Sequence, residues 1–223
     1  MLHDSFAVSK VLVIAPLRVA KDTWAREAAK WDHLNYLKMS IVVGSREDRL
    51  TALKTQADIY VINRENIPWL VEHYGKDWPF DCVVIDEASS FKSSKAQRFR
   101  ALRKVRQRIR RIIELTGTPA PNNYLDLWPQ VYLLDRGERL GKTLGAYREE
   151  YFTPGRRNGH IVYDWNLKPG AKDRIHSKLS DICMSMSAAD YLKMPDRIDR
   201  IIEVLLPEAA RKLYKKLEDE LLL

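Results

Sequence analysis

The chain is poor in cysteine. Cys82 and Cys183 are its only two, about a hundred residues apart, so there is no disulfide framework and no zinc-ligand spacing. The five histidines are scattered and form no ligand pattern. No apolar run is long enough to cross a bilayer, and no secretory leader pattern opens the sequence. These features exclude a stapled secreted scaffold and a membrane span, and they fit a reducing, cytoplasmic setting. What is abundant is positive charge. Among 223 residues the net charge is +8 and the pI is about 9.4, which favours a polyanionic partner, nucleic acid first. Apolar residues make up 45% of the chain, enough for a substantial core.

The organising stretch is Cys82–Val83–Val84–Ile85–Asp86–Glu87–Ala88–Ser89. An unbroken apolar run of this length predicts a strand buried on both faces of a parallel sheet. It delivers two carboxylates to the carboxyl edge of that sheet, where open α/β sheets bind ligands. There Asp86 is placed to hold Mg²⁺ beside nucleotide phosphates. Glu87 is placed to orient or deprotonate a water, a role worth roughly 10²–10⁴ in rate. The plain alternative is a strand end with two solvated acids. A second strand, Arg111 to Leu115, runs into the hydroxyl-rich turn Thr116–Gly117–Thr118–Pro119. Gly117 permits close backbone approach there and Pro119 stops the element.

Further strands are predicted at Lys10–Ala15, closed by Pro16, at Met39–Gly44 and at Ala57–Asn63. Helices are predicted at Ala20–Lys38, Arg46–Gln56 and Glu65–Tyr74. Trp24, Ala28 and Trp31 recur at helical spacing, which marks both tryptophans as core. The alternation of strand and helix predicts βαβ units and a parallel sheet. Lys95 to Arg111 is the most basic stretch; Phe99, Leu102 and Val105 give it an apolar stripe, and its single sign of charge suits phosphate or an acidic partner. Phe152 to His160 reads as a loop by composition, its arginines interleaved with aromatics. A helix is predicted at Ala171–Ile182, a strand at Ile198–Leu206 and an amphipathic helix at Glu208–Leu222.

The segments VIDEAS and LTGTPAPN resemble motifs II and III of the superfamily-2 helicases, and most closely those of the phage and bacterial members of the Snf2 family of double-stranded-DNA translocases. APLRVAKDTWAREAAKW resembles motif Ia, Asn63–Arg64–Glu65–Asn66 resembles motif Ib, and Leu192–Lys193–Met194–Pro195 resembles the segment closing the first lobe. The resemblance implies an α/β, RecA-like (P-loop NTPase-type) lobe over 1–135. It further implies an appendage of helices and a basic, aromatic loop over 136–195, and the start of a link to a second lobe over 196–223. It implies that Asp86 and Glu87 are catalytic, with Asp86 the Mg²⁺ ligand. Ser89, Thr116, Gly117 and Thr118 would couple nucleotide state to DNA grip. Pro16, Leu17, Arg18, Lys21, Asn63, Arg64 and Asn122 would meet the DNA backbone.

The resemblance also exposes departures. Ser89 stands where the family usually has histidine. A phosphate-cradling G-x-x-x-x-G-K-[ST] is expected before the first strand, yet residues 1–9 hold no glycine. Gly141–Lys142–Thr143 follows Gly137 one residue too closely, and it lies after the Asp-Glu strand instead of before it. The expectation is therefore a partial motor. ATP and Mg²⁺ would act in the intact protein, in a bacterial or phage-infected cell, and neither would bind tightly to these residues alone. Partners would be double-stranded DNA, a second RecA-like lobe and, through an exposed sheet edge, another copy. The alternatives are a non-catalytic basic module that binds DNA or protein, and a metal-dependent phosphate-ester hydrolase, for which only Asp58 and Asp81 stand near as further ligands.

Overall fold

The computed structural model describes residues 8–120, 122–186, 200, 202 and 204–221. The chain divides into two units, Met1–Cys183 and Met184–Leu223. The first is built on five parallel strands: β1 (Val11–Ala15), β2 (Met39–Val42), β3 (Ile59–Asn63), β4 (Cys82–Asp86) and β5 (Arg111–Leu115). Their order across the sheet is β2-β3-β1-β4-β5. Val, Ile and Leu dominate the three central strands because helices cover a parallel sheet, and a residue facing either way must be apolar. Pro16 ends β1, having no N–H to continue the ladder.

The connections are short helices. A π turn (Val19–Thr23) leads into α1 (Trp24–Ala28). α2 (Arg46–Lys54) is closed by a capping box in which the Ser45 hydroxyl accepts from Asp48 N–H and the Asp48 carboxylate accepts from Ser45 N–H. α3 (Ile67–Tyr74), α4 (Gln97–Val105) and α5 (Leu127–Asp135) follow β3, β4 and β5. Leu12, Ile14, Ile62, Val83 and Ile85 pack under α3, α4 and α5 in one large core. Val13, Ala15, Val61 and Val84 form a smaller core on the other face, closed by Ala20 and Trp24. α6 (Leu144–Tyr151) and α7 (Ala171–Leu179) join the large core through Tyr147, Tyr151 and Ile175.

Several expectations shift. The first helix stops at Ala28, ten residues early: few residues beyond it are buried, and Trp31 is 56% exposed instead of core. Phe152–His160 is no loop. It is half of an antiparallel ribbon in which β6 (Phe152–Pro154) pairs with β9 (Trp165–Leu167) and β7 (Arg157–Asn158) with β8 (Ile161–Val162). Two contacts that composition does not reveal make the ribbon. Asp164 packs across Gly155 so closely that a Cβ there would lie 2.0 Å from Oδ1, and Gly159 (φ 56°) opens a two-residue turn. Leu192–Pro195 lies outside the described residues. Of the strand predicted over Ile198–Leu206, the described residues carry none. In the second unit α8 (Glu208–Leu221) turns Leu213, Tyr214 and Leu217 to solvent.

β5 ends the sheet with no strand beyond it, and alternation divides its side chains between two unlike surroundings. Ile113 and Leu115 are 40% and 45% exposed on a face no helix covers. Glu114 points the other way. The residue as a whole keeps some exposure, but its Oε1 is sealed from solvent and has no hydrogen-bond partner among the described residues. Burial pushes this carboxyl well above its ordinary pKa, and the nearby Arg106 charge offsets only part of the shift. A carboxyl with a raised folded-state pKa contributes its stability when protonated, below the unfolded value of about 4.5, and loses it as pH rises. Glu114→Gln should therefore stabilise the chain at pH 7 by on the order of 1 kcal/mol. The advantage should vanish near pH 4, as read by paired thermal melts; an equal gain at both pH values would contradict a buried, titrating Glu114.

Candidate nucleotide-side edge

Strand register brings the predicted residues to one edge. Ile14 pairs with Ile85, Ala15 with Asn63, and Asp86 with Leu115. The residues that follow these strand ends, Pro16, Arg64, Glu87 and Thr116, therefore sit at the same carboxyl edge. Asp58 and Asp81, which precede β3 and β4, lie at the opposite edge; Asp81 accepts from the backbone of Ser9 and Lys10. No group of three or more His, Cys, Asp or Glu side chains able to hold a metal occurs among the described residues. That geometry leaves the phosphate-ester hydrolase reading without its extra ligands.

The acid pair is held from both sides. Asp86 is half-buried, and its Oδ2 accepts the indole N–H of Trp24 at 3.1 Å. Its Oδ1 has no partner among the described residues, which suits a single carboxylate contribution to an Mg²⁺ whose other ligands are phosphate and water oxygens. Glu87 sits in the left-handed region, φ 58° and ψ 60°, a strained state for a residue with a Cβ. This twist turns its side chain toward the end of β5. There Oε1 accepts from Ser89 Oγ and, at 3.4 Å, from Thr116 Oγ1. Thr116 Oγ1 in turn accepts Thr118 N–H at 3.2 Å. Glu87 Oε2 is left without a partner among the described residues. The departure from histidine at Ser89 thus keeps a donor to the acid. Gly117 is less constrained than expected: a Cβ there would meet nothing within 4 Å.

The loop residues separate into contacts and supports. Leu17, Arg18 and Lys21 are exposed beyond Pro16. Asn63 is 7% exposed, and its amide is engaged on both sides: Nδ2 donates to Glu65 and Oδ1 accepts from Asn66. Arg49 backs this arrangement by donating to Asn66 and stacking 4.2 Å over Trp69. The structure gives Asn63 to scaffolding and leaves Arg64, ion-paired with Glu65, as the reaching side chain of that loop. Asn122 is exposed, and the neighbouring Asn123 caps the turn that follows, its Oδ1 accepting Leu125 N–H. Thr143 caps α6 by accepting Ala146 N–H, so Gly141–Lys142–Thr143 is a helix start and no phosphate loop. Trp24 packs against the core as its spacing implied, and its bond to Asp86 is the site contact that spacing did not reveal; the polar N–H of a half-buried indole was the available signal.

A parallel sheet with an Asp-Glu pair at its carboxyl edge, bonded through the glutamate to a Thr-Gly-Thr turn, defines a RecA-like lobe of the helicase type. The model of the SNF2-related domain matches residues 2–222, and the chain belongs to that family. Putative protein p41 of Acyrthosiphon pisum secondary endosymbiont phage 1 is 38% identical over 218 residues, which is 95% of this chain and 47% of that protein. DNA annealing helicase and endonuclease ZRANB3 of Bos taurus is 26% identical over 91% of this chain and 19% of its own length. The chain thus spans less than half the length of these relatives. The Sulfolobus solfataricus SWI2/SNF2 ATPase core, solved in complex with dsDNA, superposes with a TM-score of 0.63 at 24% identity, over 86% of this chain and 36% of that one. This likeness bears on the fold. No described helix is long and apolar enough to cross a membrane.

Replacing Trp24 by Phe keeps the ring and removes the donor to Asp86. It should cost about 1 kcal/mol, read as a fall of roughly 2–4 °C in Tm. An unchanged Tm would show that the indole bond adds nothing in solution.

Proposed function

We propose that these residues form most of the first lobe of a DNA-dependent ATPase that moves along double-stranded DNA. The supporting observation is the Thr116–Glu87 contact, which joins the acid placed to handle water to the turn placed to sense nucleotide. In this reading ATP would supply the phosphoryl centre and Mg²⁺ would neutralise its charge. Asp86 would hold the metal through Oδ1, while Trp24 N–H holds Oδ2 of the same carboxylate. Glu87 orients the attacking water through its free Oε2, with Ser89 and Thr116 holding Oε1. Thr116 and Thr118 move together because one hydroxyl serves both, so a shift at Gly117 is felt at Glu87. Pro16–Arg18, Lys21, Arg64 and Asn122 contact phosphates and read no bases. A second RecA-like lobe would supply the arginines such chemistry uses. The free edge of β5 and its bare Ile113 and Leu115 fit another strand, from a longer chain or from a second copy.

Three measurements test this. The 223-residue chain should bind duplex DNA without sequence preference and with steep salt dependence. Arg18→Ala with Lys21→Ala should weaken it evenly across sequences and reduce the log–log salt slope by about 2. Failure to bind duplex, or binding indifferent to salt, would remove the DNA reading. The same chain should show no ATP turnover above background, since no phosphate-cradling loop lies beside the acid pair among the described residues; DNA-stimulated turnover would overturn the partial-site assignment. A non-catalytic module would share that silence, but in a longer chain carrying the phosphate loop its DNA affinity would ignore ATP and Mg²⁺. Sedimentation at tens of micromolar should reveal dimers through β5, and a strictly monomeric chain would dismiss the second copy as the occupant of that edge.

A further inference from the structure

Charge is concentrated in this chain, and not beside the acid pair. The stretch from Lys95 to Arg111 holds nine lysines and arginines and no carboxylate, one more than the net +8 of the whole, so the remaining residues sum to about −1. The tracking loops are partly neutralised: Arg64 pairs with Glu65, and Arg26 with Asp22 next to Lys21. The chain's excess of positive charge lies elsewhere.

α4 shows where. Burying Phe99, Leu102 and Val105 turns Arg100, Arg103 and Lys104 outward. At its C-terminal end two adjoining clefts open, of about 600 and 450 Å³. Arg103 and Lys142 line the first, Arg110 lines the second, and Arg136 lines both. Beneath them Arg106 is 8% exposed and donates to the carbonyls of Leu133, Leu134 and Ile109. It closes the C-terminus of α5 and fixes the shared wall. Arg136 is held in the left-handed region, φ 59°. Asp135 is no counter-ion for the others, because its carboxylate accepts the backbone N–H groups of Gly137, Glu138 and Arg139 and pairs with Arg139. Among the described residues no carboxylate lies within ion-pair distance of Arg103, Arg110, Arg136 or Lys142; Glu138 is the one remaining acid in the lining. Like charges gathered at a concave surface repel one another, and an incoming phosphate relieves that.

These clefts are not part of the acid edge. Arg110 and Arg111 N–H both donate to Asp81 O, the residue just before β4. The clefts therefore sit at the amino ends of β4 and β5, roughly 13 Å of strand from Asp86. We propose that the outer face of α4 and these clefts form a second phosphate-backbone track, which takes a nucleic-acid duplex independently of the loops after β1 and β3. A free polyphosphate would fill one cleft and leave Arg100, Lys104 and Arg108 unmatched; a duplex backbone matches the whole row. The identity of the polymer rests on the DNA reading above, while the phosphate chemistry of the clefts does not.

The test compares a cleft variant, Arg103→Gln/Arg110→Gln/Lys142→Gln, with the loop variant Arg18→Ala/Lys21→Ala, both in the full 223-residue chain. Anisotropy with a labelled duplex over a salt series should show the cleft variant losing about 2–3 from the log–log slope. Energy transfer between two differently labelled duplexes should show the unaltered chain bridging them and each variant failing to. Arg103→Lys/Arg110→Lys should restore both signals, which separates charge from folding. Loss confined to the loop variant, with the cleft variant binding and bridging normally, would overturn the second track and leave the DNA reading standing. Absence of duplex binding by the unaltered chain would end both. A Tm rise with inorganic tripolyphosphate in that case, lost in the cleft variant, would assign the clefts to a free polyphosphate instead.

Discussion

Everything at the acid edge depends on the parallel pairing of β4 with β5. A backbone ladder fixes Asp86 opposite Leu115, and the next residue on each strand must then meet its neighbour. The Thr116–Glu87 hydrogen bond follows from that register and not from any affinity between the loops. A slip of one residue would send Glu114 to the bare face and Ile113 into the packed one, an exchange the side chains of β5 do not oppose, so the register that the site requires is carried by the backbone ladder with β4. Trp24 adds the third support, reaching from the helix after β1 to the end of β4. Three successive elements thus converge on two carboxylates, although those elements are separated by more than ninety residues of chain.

Charge and chemistry are housed at different places in this lobe. Outside Lys95–Arg111 the chain sums to about −1, whereas α4 and the chain entering β5 hold the excess cations. Such a division keeps the densest positive charge away from the acid pair.

Much of this was legible in the sequence. The apolar run ending in Asp86 marked strand, edge and acid pair, because a doubly covered parallel strand has a hydrophobicity signature of its own. What escaped was tertiary in origin. Trp24 and Trp31 share a helical spacing, yet one is a hydrogen-bond donor at the site and the other faces solvent, since the helix between them ends at Ala28. The engagement of the Asn63 amide by Glu65 and Asn66 could not be read from the motif, because Arg49 and Trp69, which back it, lie outside. The ribbon over Phe152–Leu167 was hidden because its alternation is broken by Pro154 and Gly155, and the contact of Asp164 across Gly155 that makes it fold spans the turn.

The left-handed backbone at Glu87 sets a conflict between comfort and reach. Glycine or asparagine would sit there more easily, relieving on the order of 1–2 kcal/mol. Neither could extend a carboxylate to Ser89 and Thr116. A sequence drifting toward greater robustness at this position would give up the carboxylate that ties the end of β4 to the turn after β5, and one that keeps the acid must carry the tension permanently. Position 87 is therefore where local comfort and the link between the two strand ends are traded directly against each other.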